Sequence, residues 1–68
     1  MSDRIQFLTK QTVVDMTTLS ASLIDRMVID LTFPPPVKVS RGRVAWVEAE
    51  VQGWMKKRMN VEDLEDFI

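Results

Sequence analysis

Apolar positions along this chain change their spacing twice, and the changes divide it into helices and a hairpin. Ile24, Met27, Val28 and Leu31 recur at i, i+3, i+4 and i+7, the inward stripe of a helix over about Ala21 to Leu31. Ser20 stands where its N-cap belongs, and the helix must stop before Pro34, because the residue preceding a proline is pushed out of the α region. Upstream, a polar lead-in from Met1 to Gln6 gives way to an apolar anchor, Phe7-Leu8. Thr9 then caps a short helix over Lys10 to Met16 that buries Val13 together with Val14 or Met16. Thr17-Thr18-Leu19-Ser20 joins the two helices as a turn with one apolar plug.

After the prolines the period shortens to two. Val37 and Val39 flank Lys38, and Val44 and Trp46 flank Ala45, which predicts two strands, each with one buried face. Ser40-Arg41-Gly42-Arg43 forms the turn between them, with Gly42 supplying the positive φ and Arg41 and Arg43 at the tip. A third helix spans about Val47 to Met59 on a stripe of Val51, Trp54 and Met55. Glu48 and Glu50 lie in its first turn and Lys56, Lys57 and Arg58 in its last. Gly53 inside that helix costs about 1 kcal/mol relative to alanine, which predicts close packing against it. Two short helices with a tight turn, a hairpin and a further helix make an α+β fold. Its expected form is a small winged helix-turn-helix with three helices and a two-stranded β-hairpin wing over residues 1–59, followed by an acidic tail at 60–68.

Composition narrows the function classes. Sixty-eight residues make one domain with a single small core, and the chain has neither cysteine nor histidine. Disulfides, zinc sites built from those ligands, and thiol or imidazole chemistry are excluded; no cofactor or metal is expected. The acids are dispersed, no base–nucleophile pair is present, and so small a core leaves no sizeable pocket, so an enzyme is not expected. No apolar run approaches the roughly 20 residues of a membrane span, and the N-terminus lacks the apolar region of a signal peptide. Together these predict a soluble cytoplasmic protein.

The net charge of −1 conceals a segregation: residues 1–59 hold nine cations and six acids, net +3, whereas residues 60–68 hold four acids and no cation. The partner inference belongs to the body, whose densest positive charge (Lys38, Arg41 and Arg43, within six residues) lies on the hairpin. A projecting basic hairpin suits a phosphate backbone, and the competing account is a merely solubilising turn.

The stretch from Thr17 through Arg58 resembles the AlpA-like family of small phage and prophage regulators, which shares a MerR-like winged helix with many excisionases. That family reads T-G-L-S at the helix-turn-helix corner, then F-P-x-P-V-K, a basic turn, a V-x-W strand and an E-x-E-V-x-x-W helix. Here the corner is Thr17-Thr18-Leu19-Ser20 and the helix exit Phe33-Pro34-Pro35-Pro36-Val37-Lys38. The wing is Ser40-Arg41-Gly42-Arg43, the strand Val44-Ala45-Trp46, and the last helix carries Glu48-Ala49-Glu50-Val51-Gln52-Gly53-Trp54. The corner glycine is replaced by Thr18. The resemblance implies a double-stranded-DNA-binding protein of phage or mobile-element origin. Its expected role is transcriptional regulator or excisionase, with an integrase or a second copy of itself as further partner.

The expected DNA contacts follow from side-chain chemistry. Arg41 and Arg43 bind phosphate bidentately or enter a minor groove. Lys38 either joins them or covers apolar surface with its stem. Ser20 caps its helix and offers an anion site there. Ser22 and Arg26 share the outer face of the second helix, where Arg26 either reads a guanine edge or pairs internally with Asp30 or Ser22. Leu23 and Ile29 suit thymine methyls or a protein partner. Trp46 and Trp54 are core residues, and Lys56, Lys57 and Arg58 complement a helix C-terminus. The second helix shows one cation against two acids, Asp25 and Asp30. That balance supports a rival function: a protein-binding adaptor that engages an integrase, repressor or polymerase through this helix and through Leu64, Phe67 and Ile68 of the tail.

Overall fold

A computed structural model describes residues 4–59 of the chain, so the acidic tail and its Leu64, Phe67 and Ile68 lie outside the described residues. The order is β1 (Phe7–Leu8), α1 (Lys10–Thr17), α2 (Ala21–Ile29), β2 (Val37–Ser40), β3 (Arg43–Val47) and α3 (Glu48–Met59). This is an α+β fold consistent with a winged helix-turn-helix, and it differs from expectation in its sheet. The wing hairpin is joined by a third strand, giving an antiparallel order β1-β3-β2. Phe7 pairs with Val47 and Leu8 with Trp46, and the Glu48 amide donates to the Gln6 carbonyl at 2.8 Å. A strand of two residues is too short to show an alternation, which is why its apolar pair reads as a simple anchor.

Side-chain caps set the starts of α1 and α2. Thr9 Oγ1 accepts from the Thr12 amide at 3.2 Å, and Ser20 Oγ accepts from the Leu23 amide at 3.1 Å, each satisfying a donor that the first helical turn leaves open. The helix ends are set by the backbone. Thr18 takes φ +65°, and its amide donates to the Val14 carbonyl at 2.8 Å, closing α1 with a left-handed residue, a position that favours glycine.

The second helix closes two residues earlier than its apolar period predicts. Leu31 also takes φ +65°; its amide donates to the Val28 carbonyl at 3.1 Å and the Thr32 amide to Met27 at 2.8 Å. That pair of bonds is a Schellman closure built on leucine rather than glycine. The reversal throws Leu31 out of the predicted inward stripe, and it is 88% exposed.

The core comprises Leu8, Val13, Ile24, Phe33, Trp46 and Val51, with Met27, Val28, Trp54 and Met55 packed around it. Phe33 lies outside both periodic stripes, yet the chain delivers it to the centre as it leaves α2. Both indoles grip that segment: Trp46 Nε1 donates to the Pro34 carbonyl at 2.9 Å, and Trp54 Nε1 donates to the Thr32 carbonyl at 2.9 Å. The Phe33 ring meets Trp54 edge-on, 4.8 Å between centroids. Thr32-Phe33-Pro34 is thereby a strap that fixes the exit of α2 against both β3 and α3.

Two packing expectations are corrected. The strands of the wing do not each bury one face: β2 is exposed throughout, Val44 is half-exposed, and the adjacent Ala45 and Trp46 are both buried. The hairpin projects past the core, so only the half of β3 that crosses the body is covered. Gly53 has no close neighbour; a Cβ there would meet nothing within 4 Å. It borders an open hollow of about 450 Å³ between the strap and α3, whose lining includes Leu31, Phe33 and Trp54. Among the described residues no helix is long and apolar enough to cross a membrane.

Candidate nucleic-acid interface

The sequence-derived contact residues fall on two surfaces, α2 and the wing. On α2, Ser20 is the N-cap, and Ser22 and Arg26 face outward, opposite the buried Ile24. Asp25 and Ile29 share that outer side; Ile29 is 78% exposed and Leu23, on the flank, 41%. Of the two alternatives for Arg26, the internal pairing with Asp30 or Ser22 is not made: the ion pair found among the described residues is Lys10 Nζ to Asp25 Oδ1, at 2.6 Å. It joins the first residue of α1 to the second turn of α2, both side chains half-exposed. This pair escapes sequence reasoning because its members stand 15 positions apart and neither belongs to a local motif.

On the wing, Gly42 takes φ +81° at the turn, and Arg41 and Arg43 stand on either side of it, both exposed. The register divides the wing's cations. Val37 pairs with Ala45, Lys38 with Val44 and Ser40 with Arg43, with a shift between Lys38 and Ser40. Alternation along β3 puts Arg43 on the same face as Ala45 and Val47, while Lys38 lies across from Val44 on the face of Trp46. Lys38 and Arg43 are therefore on opposite faces, with the exposed Arg41 at the turn between the strands. A helix-turn-helix that docked with one face of its wing would use Arg41 with Arg43, or Arg41 with Lys38.

The C-terminal cations of α3 are also divided. The Arg58 guanidinium lies over the Trp54 ring, 4.9 Å from its centroid, and so extends the packing around the strap as well as sitting at the negative end of the helix. Lys56 and Lys57 are exposed. Within the described residues no polar side-chain atom is buried without a hydrogen-bond partner, so the polar groups with unused capacity are exposed ones, those on α2 and the wing tip among them. Such an arrangement can bind an extended polyanion by exposed cations, and can present a few hydrogen-bonding groups from one helix.

A family model described as "Prophage CP4-57 regulatory protein (AlpA)" matches residues 6–59, from just before β1 to the last residue of α3. No curated protein and no solved structure matches the chain.

Proposed function

Because the chain belongs to the AlpA family of phage regulatory DNA-binding proteins, we propose that it binds double-stranded DNA through α2 and the wing as a transcriptional regulator or excisionase. The observation that carries this is the hairpin tip. Arg41 and Arg43 project beyond the core with no ion-pair partner among the described residues, so no internal partner competes with phosphate for them. In this arrangement α2 lies along the major groove, with Ser20 at its phosphate-facing end and Ser22 and Arg26 toward the base edges. The wing reaches the neighbouring backbone or minor groove.

Both roles draw on the same chemistry. Counterion release at the wing supplies affinity, and repeated sites raise the weak binding of a single small domain. In the excisionase role the bound protein would bend attachment-site DNA beside an integrase. A gel-shift titration over a salt series, with and without excess nonspecific duplex, tests the proposal. Steep salt dependence with a sequence preference is expected. Absence of binding at low salt would overturn it and favour the adaptor function, in which the exposed Leu23 and Ile29 meet a protein.

A further inference from the structure

The outer face of α2 carries an acid where a DNA-facing helix is expected to avoid one, and that acid is the residue Lys10 holds. Asp25 Oδ1 accepts from Lys10 Nζ at 2.6 Å. The pair adds no net charge to the face, so the phosphate repulsion that a free carboxylate would suffer is largely offset. The carboxylate also has a partner on a second helix, with both side chains half-exposed. Its other oxygen keeps free lone pairs and, with the side chain 57% exposed, is open to solvent. We propose that Asp25 is a specificity-determining residue that accepts a hydrogen bond from the exocyclic amine of a cytosine in the major groove, with Lys10 as its positioning residue. The inference rests on α2 being the groove-facing helix.

Base chemistry selects the ligand. An ionised carboxylate only accepts hydrogen bonds. In the major groove guanine shows two acceptors and thymine shows an acceptor and a methyl group, so both disfavour it. Adenine offers an amine, but beside the N7 acceptor, whose lone pair faces the second carboxylate oxygen. Cytosine offers its N4 amine without an adjacent acceptor on its own ring, and is the base that fits. Arg26, the next residue, has the complementary preference, donating to guanine O6 and N7. Adjacent side chains of opposite charge on this face thus describe a subsite that contains cytosine and guanine.

Selection from a randomised duplex pool, using the full chain and its Asp25→Asn and Asp25→Ala variants, tests this. Circular dichroism melts confirm folding, which an exposed ion pair affects little. The wild type is expected to enrich cytosine at one position, by about tenfold over other bases. Asp25→Asn should convert that position to adenine, since an amide both donates to N7 and accepts from N6, and leave the other positions unchanged. Asp25→Ala should make it degenerate. Lys10→Met should weaken the preference for cytosine without replacing it by another base. An identical enriched motif from wild type and Asp25→Ala overturns the proposal and leaves DNA binding intact. So does a wild type that binds duplex but enriches no base. A wild type that binds no duplex at all removes the DNA-binding function and this inference together.

Discussion

The wing and the second helix solve opposite problems. The wing has charge without a core beneath it: Arg41 and Arg43 stand at an exposed turn, anchored by a strand pair whose outer half is uncovered. The second helix has fixed geometry without net positive charge. It is capped by Ser20, buried through Ile24, closed by a backbone reversal at Leu31 and tied to α1 by the Lys10–Asp25 pair. A phosphate backbone is uniform along its length and rewards charge at any register, whereas base edges reward placement to within a hydrogen bond. In the proposed function, the contrast gives affinity to the wing and discrimination to the helix. The strap, with both tryptophans on it, keeps one in register with the other.

Breaking the strap should erase the contrast and produce the largest effect. Trp46 is 2% exposed and holds Pro34; Trp46→Ala is expected to cost about 3–5 kcal/mol, a large part of the stability of so small a domain. Trp54→Ala should cost less, since Trp54 is only half-buried. Thermal melts of the two variants check the order, and a smaller loss from Trp46 would displace it from the centre of the core.

A smaller effect tests the geometry of the helix. Ser20→Ala removes the acceptor for the Leu23 amide and should cost about 1 kcal/mol, read by urea titration. Loss of sequence preference beyond what that destabilisation explains would show that the hydroxyl also contacts DNA.

The smallest expected effect concerns the two left-handed residues that bracket the helix. Thr18 and Leu31 both sit at φ +65°. Glycine at either position should stabilise by about 0.5 kcal/mol, the left-handed penalty of a side chain less the extra chain entropy that glycine loses on folding. A destabilised Leu31→Gly would mean that the leucine side chain has a partner in the adjoining hollow.

Helices with side-chain caps were legible in the sequence, because Thr9 and Ser20 mark their own starts and the stripes through Val13, Ile24 and Val51 have a clear period. Their ends were less so. Leu31 continues the apolar period of α2, yet the backbone has already reversed before Pro34, and side-chain spacing does not register a change of φ. The first strand and the strap were hidden for a related reason: Phe7-Leu8 and Thr32-Phe33-Pro34 acquire their roles only from residues distant in sequence. Gly53 misled in the opposite direction, since a helical glycine signals close approach and here the space above it is open. In the candidate interface, the exposed placement of Ser20, Ser22, Arg26, Lys38, Arg41 and Arg43 agrees with their polarity. The division of Lys38 from Arg43 follows from a register that the sequence does not state, and the Lys10–Asp25 pair follows from how α1 crosses α2.

The division of labour between wing and helix is tested most directly by a salt-series titration of Arg41→Ala/Arg43→Ala against a selected duplex and a random one. With two phosphate contacts gone, the slope of log affinity against log salt should flatten by about two units on both duplexes. The ratio of the two affinities should stay unchanged and the fold intact. An unchanged slope in a natively folded double variant, or a collapse of the affinity ratio, would contradict the account.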